Sequence, residues 1–441
     1  MSRPGKLVRE PERVHIDALS HDGRGVAHVD GKAVFVPGAL AGEEVRVQRT
    51  RRHRGYDEAR LLEILNASAA RVTPRCEYFG VCGGCALQHL DHAAQLEAKQ
   101  SVLLENLRRI GGVAPDTVLE PLAGAVWHYR RRARLSARRV HGKDRMLVGF
   151  RERASSYITD MRHCDVLARP ADELIGPLAE LLEQLSIRSR IPQIEVAVAD
   201  DRTLLVLRVL DAPSAEDRAL LAQFAEAHGV CWYLQPDGPE SARPLADDTP
   251  LPRYRIDEFD VEIRFAPTDF VQVNGDLNAR LVARALALLA PDPADEVLDL
   301  YCGVGNFTLP LARRAAQVTG VEGDALLVER ARDNARHNSL SNVSVHVADL
   351  STEIGLFPWA RRRYDLVLLD PPRAGASAVL GQLEVWRPRR IVYVSCDPAT
   401  LARDAGVLVR ERGLRLRAAG VVDMFPHTAH VETLAVFEPE G

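Results

Sequence analysis

The sequence has no long hydrophobic run and no visible export signal. No uninterrupted apolar stretch reaches the length of about 18 residues that a membrane-spanning helix needs. The N-terminal stretch MSRPGKLVREPERV lacks the apolar segment of a signal peptide. These absences argue against a membrane or exported protein and predict a cytoplasmic one. In that reducing compartment the seven cysteines are expected to be thiols or metal ligands, not disulfides.

The sequence also lacks an overall excess of positive charge. Its net charge of −4 argues by itself against a nucleic-acid partner. Positive charge is nevertheless concentrated in two segments: residues 1–75 hold 14 Lys and Arg against 10 Asp and Glu, and residues 127–153 hold 10 against 2. Local basic patches attract polyanions whatever the total charge. We therefore expect these segments to contact RNA or DNA, although a solvated strand face would show the same pattern.

The first structured region is predicted to be a small β unit over residues 12–68. The stretch GVAHVDGKAVFVPG alternates apolar and polar residues on both sides of Asp30-Gly31, which is typical of a type I′ hairpin. Further short β-rich runs predict a five-strand barrel of the oligonucleotide-binding type, although any small barrel would fit them. A cysteine-rich segment follows at 74–90, and then an amphipathic helix over 91–110 that stops at Gly111-Gly112.

From about residue 266 the pattern changes to alternating strands and helices. Helical stretches separate the first five of six strand candidates, which predicts a multidomain α/β protein with a doubly wound parallel sheet at its C-terminal end. Such sheets bind ligands at the carboxyl ends of their strands. The strand candidates are EVLDLY, QVTGVEG, VSVHVAD, YDLVLLD, RIVYVSC and ETLAVFE.

A glycine turn between the first of these strands and its helix indicates a nucleotide-like ligand. Gly303 and Gly305 allow close approach of the backbone, but the dinucleotide pattern would need a third glycine where this chain has Thr308. Asp299, Glu322 and Asp349 lie at or near the ends of three successive strands. This arrangement resembles the class I S-adenosylmethionine-dependent methyltransferases. An NAD enzyme and a plain α/β core turn are the alternatives.

The stretch RIVYVSCDPATLARD places a lone cysteine, Cys396, where a buried strand gives way to a helix. Asp397 is the expected N-cap and Pro398 the first helical residue. A helix N-terminus favours a thiolate, yet buried structural cysteines are equally common. In the preceding motif LLDPPRAG, Arg373 stands where amine methyltransferases carry an aromatic residue, and the cysteine typical of cytosine-C5 enzymes is absent.

Uracil chemistry explains the need for a thiol. Carbon 5 of uracil is too weak a nucleophile to attack a sulfonium methyl group, whereas addition of a thiolate to carbon 6 turns it into an enolate carbon. A base must then remove the carbon-5 proton so that the thiol can leave. The stretch FPHTAHVETLAVF offers Glu432, which we prefer, and also His427 and His430.

The motifs DLYCGVGNF, LLDPPRAG, YVSCDPATLARD and FPHTAHVET together resemble the RNA uracil-C5 methyltransferases over essentially the whole chain. The resemblance implies that Cys396 is the nucleophile and Glu432 the general base. Tyr301 stands where relatives often have Phe, and the position of Asp370 also suits the target base. The residues that the resemblance assigns to S-adenosylmethionine are Gln272, Tyr301, Asn306, Glu322, Asp349 and Asp370.

The early cysteines form C-x5-C-x2-C at Cys76, Cys82 and Cys85, with Cys164 further on. Their spacing leaves zinc, an iron–sulfur cluster and no metal all open. The radical-methionine pattern C-x3-C-x2-C is absent. The resemblance implies a [4Fe–4S] cluster on these four cysteines, as in family members specific for 23S ribosomal RNA. The transfer-RNA branch is expected to lack both the cluster and the N-terminal barrel, which is called a TRAM domain. One ribosomal relative is expected to have the cluster but no TRAM domain.

The resemblance therefore implies a three-domain enzyme that makes 5-methyluridine at one uridine of 23S ribosomal RNA, free or in a pre-ribosomal particle. The expected domains are a TRAM barrel at 12–68, a central α+β iron–sulfur domain at 69–90 and 125–265, and a methyltransferase domain at 91–124 and 266–441. We expect a monomer without membrane or protein partners, with Cys231 and Cys302 buried and unliganded. The alternative is an RNA-binding cluster protein without turnover, which would need neither Cys396 nor Glu432.

Overall fold

The computed structural model describes residues 10–246 and 249–440. The chain divides into two compact units: the smaller holds the chain up to Val102 with Arg151–Tyr157 and Phe425–His430, and the larger holds Leu103–Phe150, Ile158–Met424 and the chain from Val431. The N-terminal stretch in which no signal peptide is visible includes residues 1–9, which lie outside the described residues. No helix in the described ranges is long and apolar enough to cross a membrane.

The smaller unit is built on a six-stranded sheet with the order β1-β5-β6-β4-β3-β2. Apolar residues such as Val34, Val45 and Val47 alternate along its strands and are fully buried. Asp30 and Gly31 have φ of 53° and 75°, as a type I′ hairpin between β3 and β4 requires. Five strands were expected; the sixth is the two-residue β2. The strands are β1 (Glu12–His15), β2 (Ala18–Leu19), β3 (Gly25–Val29), β4 (Lys32–Val36), β5 (Glu44–Arg52) and β6 (Tyr56–Asn66).

The predicted amphipathic helix is present as α1 (His92–Asn106). It continues as one π-helical turn, Leu107–Gly111, and ends at Gly112, whose φ of 64° is the left-handed conformation expected of a helix-terminating glycine. In the larger unit this π turn packs against a later helix, where a side chain on Gly111 would meet the carbonyl of Ala402.

The larger unit contains two main sheets and a two-stranded ribbon. Its elements are β7 (Thr117–Val118), β8 (Arg132–Val140), β9 (Arg145–Gly149), α2 (Ile175–Gln184), β10 (Gln193–Val198), β11 (Thr203–Arg208), α3 (Ala215–His228), β12 (Val230–Gln235), β13 (Arg243–Pro244), β14 (Arg253–Ile256), β15 (Val261–Arg264), α4 (Gly275–Leu289), β16 (Glu296–Leu300), α5 (Thr308–Ala312), β17 (Gln317–Glu322), α6 (Ala325–His337), β18 (Val343–Val347), β19 (Leu366–Leu369), α7 (Leu383–Trp386), β20 (Arg390–Ser395), α8 (Pro398–Arg410), β21 (Leu414–Val422) and β22 (Glu432–Pro439).

The first sheet of the larger unit has the order β13-β12-β11-β10-β8-β9 and is antiparallel except for the pair β11–β12. Helix α3 begins with a capping box between Ser214 and Asp217. Strand β8 carries much of the basic sequence segment, and its alternate residues Ala133, Leu135 and Ala137 are buried. This sheet is the strand-rich region expected between residues 125 and 265.

The second sheet has the order β18-β17-β16-β19-β20-β22-β21-β7. Strands β16 to β20 are parallel, as predicted, and β22 adds antiparallel to β20. Strands β21 and β7 were not predicted from the sequence. The segment LRLRAAGVV of β21 is rich in Ala and Gly, which are uncommon in strands, and is held by pairing along the whole length of β22. The carboxyl ends of the parallel strands form one edge, where the candidate site lies.

Candidate active site

The glycine turn after β16 leaves open space for a ligand. The backbone N–H groups of Tyr301 and Cys302 both donate to the carbonyl of Val321 on β17, at 2.8 and 3.1 Å. Gly303 has a φ of +54°, and a side chain built on it would meet nothing within 4 Å. Tyr301 also has a left-handed φ of +65°, unusual for a residue with a side chain. The turn therefore combines open space at Gly303 with a strained backbone at Tyr301, and the strain was not predictable from the motif.

Glu322 closes the other side of this turn. One carboxylate oxygen accepts N–H groups from Gly323 and Asp324 at 2.7 and 3.0 Å, and the other accepts the N–H of Gly303 at 3.1 Å. A carboxylate has about four acceptor positions, so one remains on the oxygen that faces Gly303. Glu322 thus fixes the turn and keeps an acceptor for a hydroxyl donor.

Asp299 lies on β16 beneath the turn and is completely buried. The Thr308 hydroxyl donates to its Oδ2 at 2.6 Å, whereas Oδ1 has no hydrogen-bond partner within the described ranges. Burial, together with the charges of Asp370 and Glu322, raises the pKa of Asp299 to about 7. The site therefore holds a carboxyl group that is largely desolvated and partly protonated near neutral pH.

Asn306, a predicted cofactor residue, pairs its side chain with Asn278 of α4 through two hydrogen bonds of 2.8 and 3.0 Å. Its Oδ1 also accepts the hydroxyl of Tyr254 at 3.0 Å. Gln272 lines the cleft beside them with Tyr254, Asn278 and Arg131. Tyr254 and Asn278 carried no sequence signal, because nothing in their neighbourhood marks them as partners of the glycine turn.

Asp349 follows β18, two strands from β16 in the sheet, and Asp370 follows β19, which is paired with β16. Asp349 is exposed, and hydrogen bonds from the side chain and backbone of Ser351 lower its pKa. Burial raises the pKa of Asp370 to about 7. The backbone N–H of Asp370 donates to the carbonyl of Leu300 at 3.3 Å, which places it directly beside Tyr301 at the edge of the sheet.

Strands β20 and β22 bring the predicted nucleophile and base together. Their antiparallel register pairs Ser395 with Thr433, and the Thr433 hydroxyl donates to the Ser395 carbonyl at 2.9 Å. Cys396 and Glu432 are the next residues outward on the two strands. Asp397 caps α8 by accepting the N–H groups of Ala399 and Thr400 at 3.0 Å each, as predicted. The site therefore juxtaposes a thiol and a carboxyl group at the edge that also carries the glycine turn.

The electrostatics of this pair differ from the expectation of a stabilised thiolate. Burial and the charges of Glu432 and Asp370 raise the pKa of Cys396 to about 11, and the charge of Arg373 opposes that rise. Burial and the charge of Asp370 likewise raise the pKa of Glu432 to about 8, again opposed by Arg373. The helix N-terminus does not lower the thiol pKa below its usual value, because burial and two nearby carboxylates both raise it.

Comparison with known proteins shows the family of the chain. The family model described as tRNA (uracil-5-)-methyltransferase matches residues 91–438, and the TRAM domain model matches residues 5–62. The chain belongs to this methyltransferase family. A relative from Methylococcus capsulatus named 23S rRNA (uracil(1939)-C(5))-methyltransferase RlmD is 52% identical over 98% of both chains. Another of that name from Alkalilimnicola ehrlichii is 52% identical over 100% of this chain and 99% of its own.

A solved structure of the same family extends the likeness to the fold. The Pyrococcus abyssi tRNA (uracil-54, C5)-methyltransferase in complex with S-adenosyl-L-homocysteine matches with a TM-score of 0.75 and 27% identity. The match covers 97% of this chain and 100% of that chain. A transfer-RNA enzyme can thus share the full-length architecture. The N-terminal domain by itself does not separate the ribosomal branch from the transfer-RNA branch, contrary to the sequence-based expectation.

The two histidines offered as alternative bases belong to the smaller unit. The backbone N–H of His427 donates to Oε1 of Gln95 on α1 at 2.9 Å, and its carbonyl accepts from Ala86 and Leu87. His430 stacks at an angle on Phe425, with ring centroids 5.2 Å apart. The loop that contains both histidines is therefore fixed to the cysteine-rich segment and to α1.

None of the four early cysteines forms a disulfide. Cys76, Cys82 and Cys85 lie in one loop of the smaller unit, while Cys164 belongs to the larger unit. Cys82 accepts the N–H of Gly84 at 3.4 Å. Within residues 10–246 and 249–440 no three His, Cys, Asp or Glu side chains are arranged closely enough to hold a metal ion.

The basic segment is largely neutralised inside the larger unit, which the charge pattern could not reveal. The guanidinium of Arg132 donates to the backbone carbonyls of Pro267 and Asp269 and so holds the loop that carries Gln272. Arg138 is exposed on β8 and makes no ion pair within the described part of the chain. The carboxylate partners of its neighbours are Asp200 and Asp276 for Arg131, Glu195 for Arg134, Glu183 and Asp144 for Arg139, and Asp160 for Lys143 and Arg145.

The two remaining cysteines differ in burial. Cys302 is buried in the glycine turn, and burial raises its pKa well above the usual value. Cys231 on β12 is only half-buried, so the prediction that it is buried was wrong: it faces the opposite side of the sheet from its buried neighbours Val230 and Trp232.

Proposed function

We propose that this chain transfers a methyl group from S-adenosylmethionine to carbon 5 of uracil 1939 in 23S ribosomal RNA, giving 5-methyluridine. The register of β20 and β22, which sets Cys396 beside Glu432, carries the chemistry. The choice of RNA is supported by the 52% identity over 98% of both chains to a protein named for that uridine. The sequence resemblance points to the same target.

The site has the features that S-adenosylmethionine needs. Gly303 leaves room beside the turn, Glu322 keeps one acceptor position for a ribose hydroxyl, and Asp299 presents an oxygen without a partner among the described residues. We assign the cofactor to Gln272, Tyr301, Asn306, Glu322, Asp349 and Asp370. When bound, the cofactor supplies a methyl group activated by a positively charged sulfur. The protein supplies the nucleophile, the base and their orientation.

The reaction assigned to the protein begins with Cys396. Its thiolate adds to carbon 6 of the uracil, and the electrons of the C5–C6 double bond move toward the carbon-4 oxygen to give an enolate. Carbon 5 then accepts the methyl group and carries both it and a proton. Glu432 removes that proton, the double bond re-forms, and the thiolate is eliminated from carbon 6.

The pH dependence of methylation follows from the two raised pKa values. Both Cys396, with a pKa of about 11, and Glu432, with a pKa of about 8, react as deprotonated groups. Methylation rates under subsaturating RNA should therefore rise with pH from 6 through 8. A rate that falls over this interval would contradict the assignment of Glu432 as base.

Two substitutions separate addition from release. Cys396→Ala should abolish methylation and also the covalent adduct with RNA that contains 5-fluorouridine. Glu432→Gln should accumulate a covalent, already methylated adduct with ordinary RNA, because attack and methyl transfer precede proton removal. Cys231→Ala, on β12 of the other sheet, is the matched control and should turn over normally. Turnover of Glu432→Gln at the wild-type rate would remove Glu432 from the mechanism.

The RNA assignment is tested separately from the chemistry. Purified enzyme should methylate a 23S fragment that contains uracil 1939 and leave bulk transfer RNA unmodified, as measured by mass spectrometry of digested RNA. If the enzyme methylated only transfer RNA, the proposed uracil-C5 reaction would still stand. The proposed substrate would be wrong, and the chain would belong to the transfer-RNA branch of the family.

We also infer a structural [4Fe–4S] cluster on Cys76, Cys82, Cys85 and Cys164. Four cysteine thiolates are the usual donor set of such clusters, and none of these cysteines is in a disulfide. The Gly84 N–H directed at Cys82 is the kind of bond that stabilises a ligating thiolate. The expected domain limits at 12–68, at 69–90 with 125–265, and at 91–124 with 266–441 remain predictions, as does a monomeric enzyme.

A further inference from the structure

The loop that follows β19, residues 371–376, is tied to the strand and helix that flank Cys396. The Thr400 hydroxyl donates to the carbonyl of Arg373 at 3.1 Å. The guanidinium of Arg403 donates to the carbonyl of Ala374 at 2.8 Å. Both donors lie on α8, the helix that begins directly after Cys396. This segment, here called the Arg373 loop, is therefore held along its length.

Asp404 of α8 is the centre of this attachment and is completely buried. Its Oδ2 accepts the hydroxyl of Tyr393 at 2.7 Å and the backbone N–H of Ala376 at 2.8 Å. Its Oδ1 accepts Nε of Arg403 at 2.9 Å. The same Ala376 N–H also reaches the Tyr393 oxygen, at 3.1 Å. One carboxylate thus joins β20, α8 and the end of the Arg373 loop.

Gly375 shows how closely the loop fits this carboxylate. Its φ is +82°, and a side chain built on it would approach Arg403 to 2.5 Å and Asp404 to 2.6 Å. Only glycine satisfies both conditions. A side chain at this position would displace Arg403 or Asp404. The position of the loop therefore depends on its contacts with Asp404 and Tyr393.

We propose that Asp404 is a positioning residue of the methyltransferase, which with Tyr393 holds the Arg373 guanidinium beside Cys396 and Glu432. The proposal rests on the function proposed above for this pair. Cys396 lies between β20, which carries Tyr393, and α8, which carries Asp404. The two elements that flank the nucleophile therefore also hold the loop that carries the cation.

The charges around the pair explain why this position matters. Cys396 is faced by Glu432 from β22 and by Asp370 and Arg373 from the chain after β19. Glu432 is faced by the same Asp370 and Arg373. The two carboxylates oppose ionisation of the thiol, and Arg373 favours ionisation of both reacting groups. Displacing Arg373 should therefore raise the pKa of Cys396 and of Glu432 together.

The test measures the thiol without RNA or cofactor. The full-length protein is alkylated with iodoacetamide at a series of pH values, and the Cys396 peptide is quantified by mass spectrometry. In Arg373→Gln and in Asp404→Asn the alkylation rate near pH 8 should fall severalfold, by about tenfold for each unit by which the thiol pKa rises. In the double variant the alkylation rate should fall no further than in Arg373→Gln, because both substitutions remove the same influence of the Arg373 charge on the thiol.

Two controls keep the result specific. Asp217→Asn also removes a buried, hydrogen-bonded carboxylate, but one at the start of α3, and should leave the Cys396 titration unchanged. The Cys231 peptide reports general changes in reactivity within the same digest. If Asp404→Asn does not fold, Tyr393→Phe removes one of the bonds to the carboxylate and should change the titration in the same direction.

An unchanged Cys396 titration in folded Asp404→Asn or Tyr393→Phe would overturn the positioning role of Asp404. A double variant whose alkylation rate shows the full decreases of both single variants combined would overturn it as well. Failure of the proposed function would be recognised differently. If wild-type enzyme leaves 23S ribosomal RNA unmethylated, the alkylation result still stands, whereas unchanged alkylation with normal methylation removes only the role of Asp404.

Discussion

Asp299 is the residue whose burial has the clearest thermodynamic consequence. Its pKa rises from 3.8 to about 7 in the folded chain because burial disfavours the charged form, with further opposition from Asp370 and Glu322. A carboxyl group with a raised folded pKa contributes its stability below the unfolded pKa of 3.8 and loses it as the pH rises through about 7. The ligand-free protein should thus be weakened above neutral pH by this residue.

Asp299→Asn should therefore stabilise the ligand-free protein at pH 8 and have little effect near pH 4. Each pKa unit corresponds to about 1.4 kcal/mol, so the gain at pH 8 should be on the order of 4 kcal/mol, measured by urea unfolding. The asparagine side chain still accepts the Thr308 hydroxyl. Asp217→Asn is a control with the opposite sign. Hydrogen bonds from Ser186 and Ser214 outweigh burial and lower the pKa of Asp217, so removal of this carboxylate should destabilise the folded protein at pH 8. Equal effects of Asp299→Asn at both pH values would show that charge is not the cause.

At the scale of elements, strand β8 offers a comparison between two adjacent arginines. Arg138 is exposed on one face, whereas Arg139 lies between Glu183 and Asp144, at 3.0 and 2.7 Å. Ion pairs inside the protein compete with phosphates for the same guanidinium. The sequence treats the two residues alike, but the sheet gives them different partners.

Arg138→Gln should reduce the salt dependence of RNA binding by about one phosphate contact, a change of about 0.7 to 0.9 in the slope of log affinity against log salt. Arg139→Gln should leave that slope nearly unchanged, because its charge is already balanced by carboxylates. Filter binding of a 23S fragment between low and moderate salt measures both variants side by side. Equal slopes for Arg138→Gln and wild type would exclude β8 from the RNA surface.

At the scale of the whole molecule, a metal bound by the early cysteines should stabilise the backbone of the smaller unit around them. Their loop is paired with Arg151–Tyr157, since Gly83 donates to the Arg151 carbonyl and Arg153 donates to the Val81 carbonyl, at 2.9 Å each. A ligand held by Cys82 would stabilise this pairing. Loss of the ligand should then be visible as faster backbone exchange in the same segment.

Anaerobically purified protein should contain about four iron atoms per chain, and Cys76→Ser should lower that content, whereas Cys231→Ser should not. Treatment with an iron chelator should accelerate hydrogen exchange at Gly83 and Arg153 while leaving strand β16 protected. Stoichiometric zinc without iron in the anaerobic protein would replace the cluster with a zinc site. Iron content that is equal in all three proteins would exclude Cys76 as a ligand.

The sequence by itself determined the features that depend on near neighbours. The Asp30-Gly31 turn, the end of α1 at Gly112, and the Asp397-Pro398 start of α8 were all predictable, because turn and cap conformations are chosen by a few consecutive residues. The parallel order of strands β16 to β20 was predictable from the spacing of strands and helices. The residue types that uracil-C5 chemistry requires were also visible in the sequence, since only a thiol and a base can carry out its steps.

Only the tertiary structure decided which distant residues act on one another. Cys396 faces Glu432 because β22 pairs antiparallel with β20. The thiol pKa rises because the fold buries the thiol and places the carboxylates of Glu432 and Asp370 near it. The attachment of the Arg373 loop to Asp404 and the pairing of Arg139 with Glu183 likewise join residues far apart in the chain. Burial and electric fields sum over everything nearby in space, whereas a sequence pattern records only what is nearby along the chain.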